Sequence, residues 1–443
     1  MAETETKRAN SPEDTLQKLK NLENPKGTFK ENKNKLTDAQ KAMIRVEEPE
    51  EYRPYEYHRP NILRFKGSVL PHVIIPTIVV TIFAAIITAL FEVFKVKLNL
   101  PNTFTPILGI VVGLLLTYRT NTAYDRFWEG RKIWSAMVTH IRHLTRYIWV
   151  GIREDELLKN TKAGEQPQKV GPSTTDIILE KATAINLLLG FAVAVKHFLR
   201  EESGCEHLDL EYLISNIRET LPSFKPLAIQ GGNTSHARKV GWFTKIFQKH
   251  HKNHFNPNSL ETNLPLEITL YLSSYIQTQF QNGRIDVPIN NQIYASLNGL
   301  CDCLSHFERI LRSPIPLAYS IHLSQTVWIY CLSLPFQLVD TVHWSTIIVV
   351  FFSAYILFGL ERIGAEIENP FGYDENDLKL DDFCGILKRE LKAILSHEPP
   401  SVNDWIYSKE NRPFEKDKDL SALDASKLQV DDVRSLLSIK EET

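Results

Sequence analysis

The chain has 443 residues and a formal net charge of −2, with 51 Lys and Arg against 53 Asp and Glu. This length suits two or three soluble domains or one multi-span membrane protein with soluble parts, and the near-neutral balance excludes the strongly basic composition typical of nucleic-acid binding. The charge is unevenly spread, because residues 1–66 are crowded with Lys, Glu, Asp and Asn while several later runs carry none.

The first 52 residues are rich in charged and polar side chains and lack the apolar stretch of a secretory signal peptide. Such a composition is typical of a solvated segment, so we expect residues 1–52 to form a disordered cytosolic tail. The five cysteines are scattered without the paired spacing of a zinc site, and we expect them to be free thiols.

Two uncharged runs follow the tail. The first covers residues 67–91, and its 25 residues exceed the roughly 20 that a helix needs to cross the hydrocarbon core. The second covers 98–118, but only about 105–118 is strongly apolar, which is short for a simple span. We predict membrane spans over 68–92 and 104–118.

Two further uncharged runs, 313–339 and 341–360, are separated only by Asp340. They predict a helical hairpin with spans over 318–339 and 341–361. One such run is compatible with a soluble core helix, but four of them favour a membrane protein.

The distribution of Lys and Arg predicts the orientation of the spans. Basic residues are concentrated before the first run, after the second and before the third, whereas the loops between paired spans contain only Lys95 and Lys97. Because basic loops stay on the cytosolic side, we expect both termini and the middle segment 119–312 to face the cytosol. The sequence does not distinguish the plasma membrane from an internal one.

The middle segment 119–312 is predicted to be a soluble helical region. Residues 177–200 contain an eleven-residue apolar stretch, which is too short to span a membrane and suits a buried helix. Periodic apolar residues predict further helices over 209–221, 266–281 and 289–311.

No part of the chain has a convincing strand pattern, and the predicted fold class is all-α. The segment 228–259 is interpreted as a solvated loop, with metal binding by His250, His251 and His254 as the less favoured alternative.

Three motifs give the chain a family resemblance. The sequence RTNTAYDRFWEGRKIW (119–134) resembles the signature after the second span of the bestrophin family, in its fungal, plant and bacterial branch. SPIPLAYSIH (313–322) is similar to the segment at the start of that family's third span, and IENPFGYDENDLKLDDFC (367–384) is similar to its post-span motif. The resemblance covers about residues 53–400 and leaves a charged C-terminal tail, 401–443, outside it.

The resemblance implies a homopentameric ion channel with four transmembrane helices and a helical cytosolic region per subunit. Most members of the family conduct chloride and similar anions, while some bacterial members conduct cations. A secondary transporter is a weaker alternative, because no internal repeat is visible. The chain also lacks a nucleophile elbow, a phosphate-binding loop and an HExxH motif, so we predict no enzymatic activity.

The resemblance also implies a pore neck of bulky apolar residues at helical spacing in the second span. Such a ring gates by excluding water from a narrow constriction. Gly109 and Gly113 lie on the opposite, small-residue face, where a neighbouring helix can approach. The alternative is that the bulky residues face lipid. The neck candidates are Thr103, Ile107, Val111 and Leu115.

The stretch after the second span is interpreted as a junction at which a short pore helix ends at the cytosolic interface. Its aromatic residues, among them Trp134, suit the interfacial belt, and its alternating charges favour ion pairs. The alternative is that its arginines concentrate anions at the pore mouth. The junction candidates are Arg119, Asn121, Tyr124, Asp125, Arg126, Trp128, Glu129 and Arg131.

The post-span motif is the candidate metal site. Animal bestrophins use an acidic run here to bind calcium, and Asn369, Asp374 and Asp377 match positions in it. The run is interrupted in this chain, so we expect no cofactor to be required. The alternative is that Asp374 or Asn376 caps a helix beginning near Asp377.

The resemblance further implies a second constriction, the aperture, at the cytosolic end of the pore. Its candidate residues are Ile268 and Leu270.

Overall fold

The computed structural model describes residues 65, 67–96, 104–154, 173–202, 207–221, 263–415 and 417–438. The predicted tail 1–52, the neck candidate Thr103 and the loop 228–259 with its three histidines lie outside these ranges. Within them every regular element is helical and no strand occurs, as the sequence predicts.

The helices of the described residues are α1 (Leu70–Glu92), α2 (Phe104–Gly151), α3 (Thr174–Leu199), α4 (Leu208–Ile214), α5 (Leu264–Gln281), α6 (Val287–Arg312), α7 (Leu317–Val342), α8 (Thr346–Glu366), α9 (Leu380–Leu395), α10 (Val402–Trp405), α11 (Ala422–Ala425) and α12 (Val430–Leu437). Short 3₁₀ turns occur at Arg218–Thr220 and His343–Ser345.

Helices α1, α7 and α8 and the first part of α2 pack together around one apolar cluster, named here the membrane cluster. Helix α1 and the α7–α8 hairpin occupy the predicted first, third and fourth spans, and both segments are long and apolar enough to cross a membrane. The buried members of the membrane cluster are Val73, Val80, Ala84, Val112, Leu116, Leu323, Val327, Cys331, Leu334, Val350, Ala354 and Phe358.

Helix α2 continues far beyond the predicted second span. The expectation that a short helix ends near Tyr118 is wrong, because α2 runs for 48 residues to Gly151, a length of about 72 Å at 1.5 Å per residue. Its first part contributes Val112 and Leu116 to the membrane cluster, and its second half, from Ile133 onward, contributes to another core. The polar junction residues therefore lie within one continuous helix.

The second half of α2 packs with α3, α4, α5, α6 and α9 around this other core, named here the second cluster. Helix α3 is the third described segment with the length and composition of a membrane span, yet two thirds of its apolar window is buried within the protein. This burial agrees with its prediction as a core helix. The largest fully buried apolar side chains of the second cluster include Trp134, Phe191, Phe307 and Phe371.

Local sequence explains where α3 begins. The Ser173 hydroxyl accepts a hydrogen bond from the backbone N–H of Asp176 at 3.3 Å, and the Asp176 carboxylate accepts one from the backbone N–H of Ser173 at 3.0 Å. This reciprocal pair satisfies two N–H groups that would otherwise lack a partner at the helix start.

Candidate functional site

The first part of α2 has one buried and one exposed face. Val112 and Leu116 are buried in the membrane cluster, whereas Ile107 and Val111 are 66% and 43% exposed. Leu114 continues the exposed face, because it lies one turn after Val111 and is 70% exposed. This side of α2 is an apolar surface that the described residues of the chain leave uncovered.

Leu115, the fourth neck candidate, lies towards the other side of the helix. It is partly buried against the membrane cluster, and its carbonyl accepts a hydrogen bond from the Tyr319 hydroxyl at 3.0 Å. A constant spacing of four residues from Ile107 and Val111 predicts Leu115 as the next neck residue. In the structure, the next exposed residue of this apolar face is Leu114. A spacing alternating between four and three residues, as in i, i+4 and i+7, would have identified Leu114.

The two glycines in the first part of α2, Gly109 and Gly113, differ in their surroundings. A Cβ atom on Gly109 would lie 3.3 Å from the Tyr330 hydroxyl oxygen, so α7 of the same protomer approaches α2 closely at this point. A Cβ atom on Gly113 would meet no atom within 4 Å in the described structure. Only Gly109 thus acts within the protomer as the small contact residue that the sequence predicts.

Glu368 brings the three sequence motifs together at the junction between the two clusters. Its carboxylate accepts a hydrogen bond from the backbone N–H of Ile315 at 3.0 Å and lies 3.6 Å from the Arg119 guanidinium. Its backbone carbonyl accepts a hydrogen bond from Arg126 at 3.1 Å. Glu368 is not among the residues that the sequence predicts for the site, because a single Glu beside a recognisable NPFG motif carries no distinctive pattern.

Arg126 also holds the C-terminal end of α6. Its guanidinium donates to the carbonyl of Ile310 at 2.7 Å and to the carbonyl of Ser313. These carbonyls lie in the last turn of α6 and just beyond it, where helical partners are missing, so the arginine satisfies them and interacts favourably with the negative end of the helix dipole.

Gly130 allows the NPFG segment to pack directly on α2. A Cβ atom on Gly130 would lie 3.0 Å from two ring carbons of Phe371 and 3.4 Å from Pro370. The Phe371 ring is fully buried and meets the Phe307 ring edge to face, with 5.7 Å between the ring centroids. Gly130 of the 119–134 motif therefore provides the surface on which Phe371 of the 367–384 motif packs.

Two further charged junction residues, Glu129 and Arg131, also have partners within the chain. Glu129 forms an ion pair with Arg309 of α6, and Arg131 lies 4.6 Å from the centroid of the Phe383 ring. Asn121, Tyr124, Asp125 and Trp128 are exposed. The three arginines of the junction set thus contact different protein groups: Arg119 a carboxylate, Arg126 backbone carbonyls and Arg131 an aromatic ring.

Trp134 departs from the interfacial position that its sequence suggests. Its side chain is 1% exposed and packs within the second cluster, with its ring centroid 6.1 Å from that of Phe307. The aromatic belt interpretation is therefore wrong for Trp134. Helical periodicity explains the difference, since Trp134 lies on the inward-facing side of α2 together with Met137 and Ile141.

The calcium candidates take part in backbone turns. The Asp377 carboxylate accepts a hydrogen bond from the backbone N–H of Asp374 at 2.7 Å, and the Asn369 side-chain oxygen accepts one from Phe371 at 3.4 Å. Burial raises the pKa of Asp377 to about 6, and the charge of the nearby Asp374 adds to the effect. Asn369 and Asp374 are exposed.

The alternative helix-capping role for Asp374 or Asn376 is wrong. Helix α9 begins at Leu380, and its N-cap residue Lys379 makes no side-chain capping hydrogen bond. The Asn376 amide instead donates to the carbonyl of Gly67 at 3.2 Å and to Glu366 at 3.1 Å. It therefore ties the post-span segment to the start of α1 and the end of α8.

The two aperture candidates have opposite environments. Ile268 is fully buried in the second cluster, whereas Leu270 is 62% exposed on α5. A side chain that is fully buried within its own chain cannot line a pore, so Ile268 does not fit the aperture and the expectation rests on Leu270.

Comparison with known proteins agrees with this architecture. The chain is 38% identical to a voltage-dependent anion channel-forming protein of Nostoc sp., over 76% of this chain and 91% of that protein. It is 36% identical to a protein of the same description from Synechocystis sp., over 76% of this chain and 92% of that protein. A solved structure of a bacterial bestrophin homologue from Klebsiella pneumoniae shares the fold, with a TM-score of 0.53 and 22% identity over 74% of this chain and 100% of that chain.

A family model described as Bacterial/Fungal Bestrophin protein matches residues 51–393, which include the exposed stripe of α2, the junction around Glu368 and the post-span motif. This match covers most of the chain and agrees with its all-helical, multi-span architecture. The protein belongs to the bacterial and fungal bestrophin family of membrane proteins.

Proposed function

We propose that this chain forms a passive anion channel in which five copies surround one central pore that conducts chloride and similar small anions. The observation that carries the proposal is the exposed apolar stripe of α2 at Ile107, Val111 and Leu114. The relatives from Nostoc and Synechocystis are described as voltage-dependent anion channel-forming proteins, which supports the choice of anions.

In the proposed channel the apolar stripe of each copy contributes to the neck. A ring of isoleucine, valine and leucine side chains makes no hydrogen bonds to water, so a narrow ring loses its water and blocks ions until it widens. The side chains of the neck are aliphatic, and permeation therefore depends on the width of the ring rather than on a binding site within it. Leu270 on α5 is the proposed residue of a second constriction.

The junction gives the neck a rigid support. Arg119, Arg126 and Gly130 hold α2 against the α6 end and the NPFG segment. Since α2 is continuous, a displacement of its second half is transmitted to the neck without an intervening flexible loop. We propose that both termini are cytosolic and that conduction requires no calcium or other cofactor.

Current across a planar lipid bilayer tests the proposal. Purified full-length protein is incorporated under a potassium chloride gradient, and the reversal potential is measured. A value near the chloride equilibrium potential supports an anion channel, and a value near the potassium equilibrium potential would instead identify a cation-conducting homologue. Failure of intact oligomers to pass current, with the neck variants described below also silent, would contradict a passive channel.

A further inference from the structure

Two histidines stack at the C-terminal end of α3. The His197 and His207 rings lie nearly parallel, with 3.9 Å between their centroids and an interplanar angle of 9°. The Nδ1 atom of His197 lies 2.5 Å from the Glu202 carboxylate, and its Nε2 atom lies 2.9 Å from the Asp209 carboxylate. None of these residues belongs to the neck, the junction or the candidate calcium site.

The side chains of His197, Glu202 and His207 bring three metal-ligating atoms within 4.8 Å of one another. In the parts of the chain that the structure describes, no other group of three His, Cys, Asp or Glu side chains meets this condition. Ligands of a tetrahedral zinc ion are about 3.3 Å apart, given metal–ligand bonds of about 2.0–2.1 Å. To surround an ion, the three ligand atoms would move closer together and the two stacked rings would turn out of their parallel arrangement, because an ion bound by both rings lies in the plane of each.

His207 has a buried ring nitrogen without a partner. Its Nε2 atom is inaccessible to solvent and makes no hydrogen bond in the described structure. Burial, and then the proximity of His197, lower the pKa of His207. A buried polar atom of this kind costs free energy unless something binds it. A metal ion beside Glu202 would supply the missing contact.

Asp209 orients His197 in the way that metal-binding histidines require. Burial would raise the pKa of Asp209, but the hydrogen bond from His197 and the charge of Lys196 outweigh it and hold that pKa well below its usual range. The ionised Asp209 accepts the N–H of His197 Nε2, which leaves Nδ1 facing Glu202. A carboxylate, a histidine and a metal ion in this order recur in metal sites, because the carboxylate fixes the ring and increases its basicity.

The surrounding charge favours a cation. Three carboxylates, those of Glu202, Asp209 and Asp381, face two cationic side chains, those of Lys196 and Arg200, so the cluster carries one excess negative charge when both histidines are neutral.

We propose that His197, Glu202 and His207 form a binding site for a divalent transition-metal ion of the zinc class, with solvent as a fourth ligand. Two imidazole nitrogens and one carboxylate suit zinc, copper or nickel and disfavour calcium, which takes oxygen ligands. Glu202 also accepts a hydrogen bond from the Tyr373 hydroxyl. Tyr373 directly follows the NPFG sequence, so the site is connected to the post-span segment.

Cobalt binding to full-length protein in detergent tests the site, since Co²⁺ takes similar ligands and its visible absorption reports a tetrahedral environment. His250, His251 and His254 are replaced by alanine in every sample, because they are the other metal-binding candidates in the sequence. After chelator treatment, we expect one Co²⁺ per chain, displaced by Zn²⁺.

His207→Ala and Glu202→Gln should each weaken binding about 100-fold or more, because loss of a supporting residue alone costs 10- to 100-fold at metal sites. His306→Ala is the matched control, since His306 is exposed on α6, and it should bind normally. Size-exclusion elution and thermal unfolding show whether His207→Ala folds. If it does not, the cobalt affinity of Glu202→Gln tests the proposal. Normal affinity in Glu202→Gln, or no bound cobalt in the starting protein, would overturn the proposal. The readout is independent of ion conduction.

Discussion

Arg119 and Glu368 form an ion pair in which the guanidinium and carboxylate atoms are 3.6 Å apart, with side chains 8% and 20% exposed. The pair joins α2 to the segment after α8, at the boundary between the membrane cluster and the second cluster. Glu368 at the same time accepts the backbone N–H of Ile315. One carboxylate thus connects the three motifs that identify the family.

Replacement of Glu368 by glutamine should destabilise the protein by about 3 kcal/mol, because it removes the ion-pair partner of the largely buried Arg119 guanidinium. Glutamine keeps the shape and the oxygen that accepts from Ile315. The measurement is the thermal unfolding temperature in detergent. Glu129→Gln is the matched control, since its ion pair with Arg309 is much more exposed and should contribute about 1 kcal/mol or less. Equal shifts in the two variants would argue against a central role for Glu368.

Gly130→Ala should destabilise the protein although alanine favours helices. The added methyl group would lie 3.0 Å from the buried Phe371 ring, and overpacking of this kind costs about 1–3 kcal/mol. Gly385→Ala in α9 is the control, because no atom lies within 4 Å of its Cβ position and alanine should stabilise the helix by up to about 1 kcal/mol. Thermal unfolding of the two variants should therefore shift in opposite directions.

Conduction measurements can test which residues of α2 line the proposed neck. Ile107→Ala, Val111→Ala and Leu114→Ala should each raise conductance or open probability, because a wider, less bulky ring holds water more readily. Leu115→Ala should leave permeation unchanged and lower stability instead, since Leu115 packs against the membrane cluster.

Single-channel recording in planar bilayers distinguishes these outcomes. If only Leu115→Ala changed permeation, the residue that lines the neck would be Leu115, as the four-residue spacing predicts, and not Leu114. Unchanged conduction in all four variants would exclude this part of α2 from the constriction.

Asp377 should make stability depend on pH. Its pKa is raised to about 6 in the folded protein from an ordinary value of 3.8, so the folded state favours the neutral carboxyl. The stabilisation of the folded protein by the neutral Asp377 carboxyl is fully present below about pH 4, and it is lost as the pH rises through about 6. Between pH 4 and pH 7, the free energy of unfolding of Asp377→Asn should therefore increase by about 2 kcal/mol relative to that of the original protein. The exposed Asp432→Asn is the control and should follow the original profile.

Calcium provides a second measurement on the same variants. We expect added Ca²⁺ to leave the unfolding temperature unchanged both in the original protein and in Asp377→Asn, because among the described residues no three His, Cys, Asp or Glu ligand atoms converge in the post-span motif. A stabilisation by Ca²⁺ that Asp377→Asn abolishes would identify a calcium site in the post-span motif.

The sequence by itself determined the all-helical class, the position of α1 and the α7–α8 hairpin, and the family. Uncharged runs longer than about 20 residues have few structural alternatives, because unpaired backbone groups are costly in hydrocarbon. The buried character of α3 also followed from its short apolar stretch and polar flanks. These features are local, and hydropathy and spacing report local features directly.

Only the tertiary structure decided which residues act together. It showed that α2 continues through the charged stretch after Tyr118, that Leu114 rather than Leu115 shares the exposed face, and that Trp134 is buried. It also brought Glu368 to Arg119 and His207 to His197. Such contacts join residues from different elements, and their geometry depends on how whole helices pack, which the periodicity of a single helix does not contain.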